Sequence, residues 1–344
     1  MTDFDEYKRQ GEPEKYEKSI IWQAAIGLQD IDGLKVSEYL ISTAKEHIDG
    51  DITIEEVQQR LKAYYETQTK RGSEDRTEEA DKVAGRITEI LSEKTFSFSP
   101  VEFMGIHKRL FDGIYDFAGK IRDYNITKKE WVLDGDTVLY QTAQHLRAAL
   151  EHDFDKEKKF DYKGLSLREK VERVAEFISG IWQVHPFGEG NTRTTAVFLI
   201  KYLQAKGFDP DKNMFTKHSW YFRNALVRTN HEHFTTGVYK TNDFLMKFFG
   251  NLLLGEKNEL RNRDMLINGT VNAKSGTVND TVKLTADERG VLDQIKINSA
   301  STAEELVSVV GKSIRTVKRI IKSLQQKGII ERVGSDKKGF WEVT

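Results

Sequence analysis

The stretch His185-Pro186-Phe187-Gly188-Glu189-Gly190-Asn191-Thr192-Arg193-Thr194 follows one helical pattern and runs straight into another. It reads as a loop ending at a helix N-terminus, where unpaired N–H groups and the helix dipole favour an anion. Gly188 and Gly190 let the backbone approach a phosphate and take positive φ where needed. Around that cradle stand a base (His185), a hard-metal ligand (Glu189), an amide (Asn191) and a fixed cation (Arg193). Transfer from a nucleoside di- or triphosphate requires these parts. Each residue alone has a plainer use: a packed or capping histidine, a core phenylalanine, a carboxylate that suits a helix N-terminus. The ordered set is what carries weight.

The flanks make the loop rigid. Ser166 and Glu169 form a capping box ahead of Val171, Val174, Ala175, Ile178, Ile181 and Trp182, which follow an i, i+3, i+4, i+7 pattern. Beyond the loop, Ala196 to Ile200 is apolar all round, predicting a buried helix that closes at Gly207.

For the whole chain, 344 residues favour two or three domains. Charged residues make up 31% and the net charge is −1, so global electrostatics name no partner. With no cysteine, disulfides, zinc fingers and thiol catalysis are excluded. The polar start is no secretory signal, and no apolar run approaches the ~20 residues of a membrane span, so a soluble cytoplasmic protein is expected. Four prolines and repeated helical periodicity argue for a mainly α chain.

The loop resembles the signature of Fic domains, H-P-F-x-[D/E]-G-N-G-R-x-x-R. His185, Pro186, Phe187, Glu189, Gly190, Asn191 and Arg193 match it. Thr192 stands at the second motif glycine, and Ala196 where many members carry a second arginine. The turn Tyr115-Asp116-Phe117-Ala118-Gly119-Lys120-Ile121-Arg122 extends the resemblance. It implies a Fic-type helical core with a β-hairpin flap over residues 75–266. The flap is expected between Tyr124 and Val138, with Trp131-Val132-Leu133 as strand and Asp134-Gly135 as turn. Lys128, Lys129, Trp131 and Val132 are its candidate target-binding residues, by strand addition; paired lysines are otherwise a solvated edge. Tyr221 is expected near the adenosine, although an aromatic at helical spacing also suits a core. His107 shares an apolar face and reads as a satisfied core histidine. A metal at His231-Glu232-His233 is disfavoured, because adjacent helical residues diverge.

Residues 1–67 give three short helices, ending near Gly33 and starting near Ser37 and Thr53, the last with a Thr53/Glu56 capping box. The segment resembles the small antitoxin partners of Fic toxins, whose inhibitory helix reads [S/T]-x-x-x-E-[G/N]. Aligned on Gly33, Asp32 takes the place of the Glu and Leu28 that of the Ser/Thr. The Glu's usual partner is the second motif arginine, here Ala196. Both halves of that ionic lock are altered, so inhibition is expected to be steric or to use another contact.

Residues 267–283 read as an interdomain linker. Residues 284–344 then show capped helices at Thr285/Glu288, Thr302/Glu305 and Ser313, followed by a hairpin. This resembles a small winged-helix domain. Arg315, Lys318, Arg319 and Lys322 on its third helix, with Lys337 and Lys338 at the wing, suggest phosphate contacts with DNA. The other use of such a unit is protein contact or homodimerisation.

The resemblance implies transfer of AMP from ATP to a Ser, Thr or Tyr hydroxyl of a protein target. His185 would be the base and Glu189 the Mg²⁺ ligand, with Gly188, Gly190, Asn191, Thr192 and Arg193 on the phosphates. Three other readings stay open. Without the second arginine the donor could be another nucleotide; the fold could serve as sensor in a DNA-binding regulator; or the enzyme could run in reverse and remove AMP.

Overall fold

The computed structural model describes residues 4–67, 76–267, 281–327, 329–333 and 339–343. Lys337 and Lys338 at the wing, and residues 268–280 of the expected linker, lie outside the described residues. The chain is mainly helical. The first helices are α1 (Asp5–Gln10), α2 (Pro13–Gly27), α3 (Glu38–Asp49) and α4 (Ile54–Thr67). A 3-10 turn at Leu28–Asp32 ends on Gly33 in the left-handed region. Ser37 caps α3 by accepting from Leu40 N at 3.1 Å, and Thr53 and Glu56 close the expected box before α4.

The middle of the chain supplies α5 (Thr77–Ser92), α6 (Pro100–Phe111), strand β1 (Asn125–Lys128) and α7 (Leu146–Lys158). Next come α8 (Leu167–Val184), α9 (Asn191–Ala205), α10 (Asn213–Thr229) and α11 (Asp243–Leu253). The Ser166/Glu169 box starts α8, as its sequence predicts. Every residue of α9 from Asn191 to Leu203 is buried. A helix apolar enough to be enclosed in this way cannot shift without disturbing the core, so the loop before it is fixed at both ends.

The N-terminal helices are part of this body. Trp22, Leu28, Leu40 and Leu61 are fully buried in the same apolar core as Phe187, Phe198 and Phe222. At Gly27 the backbone of α2 lies so close to α10 that an added Cβ would stand 2.5 Å from Phe215 O, so only glycine fits there.

The C-terminal unit comprises β2 (Thr281–Leu284), α12 (Ala286–Ile297), α13 (Ala303–Val310), α14 (Ile314–Gln326) and the antiparallel pair β3 (Ile330–Val333) and β4 (Phe340–Val343). It has a separate core around Val291, Leu292, Leu306, Val317 and Leu324.

The flap departs from expectation. β1 is its single strand among the described residues, and Trp131–Leu133 form a 3-10 turn instead. Asp134, in the left-handed region, turns the chain there as expected. The partner of β1 is β2, from the segment read as linker, antiparallel with Asn125 opposite Leu284 and Lys128 opposite Thr281. β-compatible side chains at 131–133 lost to the burial of Val132 and Leu133, which a tight turn achieves by driving both inward.

Candidate active site

α8 delivers His185 as its C-terminal cap, with φ 49°. The ring is 2% exposed. Its Nδ1 lies 3.2 Å from Trp182 O, and Nε2 has no hydrogen-bond partner among the described residues. If Nδ1–H donates to that carbonyl, Nε2 carries the free lone pair. Burial, then Lys128 and Arg122, push His185 well below the ordinary imidazole value, so the ring is neutral at pH 7. Tyr140 packs on it with ring centroids 4.2 Å apart.

Several contacts hold the loop. Arg122 N donates to Pro186 O at 2.8 Å, and its Nε donates to His185 O at 2.9 Å. Burial, then neighbouring Arg289, lower Arg122 to about 10, which leaves it charged. Asn191 accepts from Phe187 N at 3.0 Å and donates to Phe187 O at 2.9 Å, so its amide braces the loop. The amide was expected on a phosphate; closing this turn employs both of its ends. Gly190 sits at φ 74°, where an added Cβ would meet the Phe111 ring at 2.4 Å. His107 accepts from Gly119 N at 2.8 Å, which leaves Nε2–H to donate to Glu189 O at 3.0 Å. It is a satisfied histidine, but its partners are the loop itself.

Thr192 is accommodated because its hydroxyl accepts from Trp182 Nε1 at 2.9 Å. The side chain ties the start of α9 to the end of α8. The first amides of α9 have no acceptor within their own helix.

Glu189 is one-quarter exposed, and its Oε2 stands 3.4 Å from Lys128 Nζ. Asp32, Glu130, His185, Asn191, Thr192 and Arg223 line the cleft with these two residues. The cleft is nearly closed, with about 10 Å³ of room for a water-sized sphere, far below the roughly 300–1,000 Å³ of small-molecule sites. Among the described residues there is no ready cluster of three metal-ligating side chains. A single carboxylate in a polar cleft nevertheless suits Mg²⁺, which takes one or two carboxylates and completes its shell with water and phosphate oxygens.

Arg193 departs most from expectation. It is fully buried and does not line the cleft. Its Nε is 2.7 Å from Asp32 Oδ2, Nη2 is 2.7 Å from Glu79 Oε1, and Nη1 donates to Gln29 at 3.1 Å. The Phe111 ring lies 4.8 Å away, beneath the guanidinium. Burial opposes ionisation of Glu79, but Arg76 and Arg193 outweigh it and hold its carboxyl down to about 2. Asp32 therefore has an arginine after all. The expectation that Asp32 lacks an arginine partner is corrected: Arg193, the first motif arginine, pairs with it, because Leu28–Asp32 packs against the start of α9.

Other expected residues are placed as follows. Leu28 is buried and Gly33 caps its turn. Lys128 and Val132 are buried, which turns both away from any docking partner; Lys129 is exposed and Trp131 half-buried. Tyr221 is 1% exposed, and its hydroxyl donates to Phe244 O at 3.3 Å. It belongs to the core between α10 and α11 instead of the cleft. Arg315, Lys318, Arg319 and Lys322 are exposed on α14. Glu130, Arg223, Glu79 and Gln29 were missed. Only Arg223 carried a signal, as a charged residue inside the apolar pattern of α10.

Among the described residues no helix is long and apolar enough to cross a membrane. The model of the Fic/DOC family matches residues 97–203. Protein adenylyltransferase VbhT of Bartonella schoenbuchensis is 27% identical over 142 residues, 38% of this chain but only 28% of that protein. A Fic family protein from Desulfovibrio desulfuricans G20 aligns with TM-score 0.42 and 11% identity, over 100% of this chain and 91% of its own. BepC of Bartonella tribocorum, crystallised with AMPPNP, aligns with TM-score 0.39 and 20% identity, over 58% of this chain and 86% of its own. The match to the Fic/DOC family therefore spans residues 97–203, the part of the chain that holds the loop at His185.

Proposed function

We propose that the chain is a nucleotidyltransferase that moves AMP from ATP to a hydroxyl side chain of a protein target, and that its N-terminal segment restrains it. The observation that carries this reading is the position of His185, whose Nε2 has no partner among the described residues and faces a cleft at the N-terminus of α9. The target hydroxyl attacks the α-phosphorus. An O–P bond forms, the bond from the α-phosphorus to the bridging oxygen breaks, pyrophosphate leaves, and His185 Nε2 takes the hydroxyl proton. The first amides of α9 meet the phosphate charge. Glu189 would hold Mg²⁺, which supplies further charge neutralisation when bound. VbhT, named as a protein adenylyltransferase, supports the same chemistry.

Restraint rests on Asp32, which stands in the cleft wall and binds Arg193. A target segment pairing with β1 would meet an edge that β2 now occupies. Labelled ATP, Mg²⁺ and cell lysate, with wild type beside His185→Ala, test the reading. The variant is expected to lose about 10²–10⁴ in rate. Near-wild-type labelling by purified His185→Ala would reject His185 as the base.

A second reading concerns the C-terminal unit. The exposed row Arg315, Lys318, Arg319 and Lys322 on α14 supports DNA binding by a winged helix. Each cation removed should flatten the salt dependence of duplex binding by about one unit of slope. Binding that ignores salt, or survives loss of residues 284–344, would end that reading.

A further inference from the structure

The cleft contains a guanidinium that the loop motif does not supply. Arg223 on α10 lines it beside His185, Glu189 and Asn191, although only 5% of the residue is exposed. One face of the guanidinium lies 4.9 Å from the Trp220 ring. Its Nη2 meets Glu130 Oε2 at 2.7 Å. Glu130, 1% exposed, accepts from Tyr140 OH at 3.0 Å on its other oxygen. That tyrosine is the one packed on the His185 ring. Tyr221 and Arg223 are two positions apart, about 200° around the helix, so one faces the core and the other the cleft.

The neighbouring cations are differently disposed. Arg193 is absent from the cleft lining and holds Asp32, Glu79 and Gln29. Lys128 reaches the Glu189 carboxylate. Among the described residues the cleft presents one guanidinium, and a flap carboxylate is ion-paired with it there. Carboxylate and phosphate oxygens offer arginine the same planar, two-pronged hydrogen bonding.

We infer that Arg223 is a phosphate-binding residue of this site, taking a phosphate beyond the α position of the nucleotide, and that Glu130 occupies its guanidinium in the closed state. The inference rests on the nucleotide-transfer reading. It assigns donor specificity to α10. A nucleoside monophosphate has no group for Arg223, whereas a triphosphate does. Glu130 competes with the incoming anion and repels it, so the pair makes entry selective for ligands that bring enough charge.

Calorimetric titration of the full-length chain with ATP and with AMP tests this, in wild type and in an Asp32→Ala background that opens the cleft wall. Arg223→Met combined with Glu130→Gln removes both charges and leaves no unpaired buried ion. It is expected to weaken ATP about ten- to hundredfold, the loss of a charge-assisted contact. AMP should change less than about twofold, since it lacks that contact. Glu130→Gln alone should tighten ATP. Arg223→Lys should retain part of the ATP preference, because a point charge remains. Equal losses of ATP and AMP would make Arg223 a structural residue and overturn the inference. Binding unchanged by either Arg223 variant would overturn it while leaving the transfer reading intact. A chain that binds neither nucleotide in either background defeats both.

Discussion

The N-terminal segment meets the His185 loop through side chains inside one continuous core, whereas the C-terminal unit meets the flap through backbone pairing and keeps a core of its own. At the first seam Arg193 is fully buried among Asp32, Glu79 and Gln29. At the second, β2 lies along β1, Arg289 donates to Ile126 O at 2.8 Å and to Tyr140 O at 3.1 Å, and Lys296 meets Asp136 at 3.0 Å. The contrast distinguishes an integral segment from a docked one. A segment that shares the core cannot leave without unfolding something. A unit with its own core can separate at the cost of a few polar contacts.

The largest expected effect breaks the symmetry between the two ends. Deleting residues 1–67 exposes the core faces of α5, α9 and α10, and should leave no cooperatively folded remainder by calorimetry. Deleting residues 268–344 should leave the catalytic body folded, with its melting temperature within about 5 °C, the shift expected of roughly 1–2 kcal/mol. A folded, cooperative product from the first deletion would show that the N-terminal helices are a separable decoration.

Asp32→Ala sharpens the comparison without removing the segment. Taking one partner from a buried pair costs roughly 3–5 kcal/mol, and Glu79 and Gln29 should hold the loss near the lower figure. Release of Arg193 should raise transfer about tenfold or more, the reverse of a coupling energy of typical size. A stable Asp32→Ala protein with wild-type rate would leave Asp32 as packing alone.

How much of this was legible depends on the distance over which each signal acts. The capping boxes at Ser166/Glu169 and Thr285/Glu288, the end of α8 and the enclosed α9 are written within a few consecutive residues, and all stand as expected. The motif residues of the loop are local too, although their duties were only partly readable. Asn191 braces Phe187, and Arg193 faces away from the cleft. The pairings of Asp32 with Arg193, β1 with β2 and Glu130 with Arg223 join residues far apart in sequence. No local pattern carries them. Trp131–Leu133 failed as a strand for a related reason: β propensity describes fit to a pleated surface, and among the described residues no strand lies beside that segment to provide one.

Acid should act on the two bodies unequally. Burial is the main cause that lowers His47 and His107 to about 4, and it lowers His185 as well. Such groups stay neutral when folded but protonate when unfolded, so their contribution is present above pH 6.5 and lost as pH falls towards 4. Full loss at His107 alone amounts to about 3 kcal/mol. Glu79, lowered to about 2, adds a further loss between pH 4.5 and 2. All eight histidines precede residue 234, so residues 284–344 contribute none. Two-transition calorimetry from pH 7 to 4 should show the larger body losing stability faster. Parallel shifts of both transitions would contradict the assigned burial.

The smallest expected effect lies at the second seam. Arg289, 4% exposed, is the one side chain of α12 that bonds carbonyls on both the β1 strand and the Tyr140 segment. Arg289→Ala leaves the core of each body untouched and deprives two carbonyls of their donor, a local cost of about 1–3 kcal/mol. Since the β1–β2 ladder joins bodies with separate cores, this cost should appear as faster amide exchange at residues 125–128 and 281–284, with the main melting transition unchanged. If β2 obstructs target pairing, transfer to a protein target should also rise, by no more than about fivefold for 1 kcal/mol. A fall in the main transition would mean that the second seam is as integral as the first, and unchanged exchange that Arg289 does not hold the strands together. The first result would replace the contrast between shared core and docked unit with a single cooperative body.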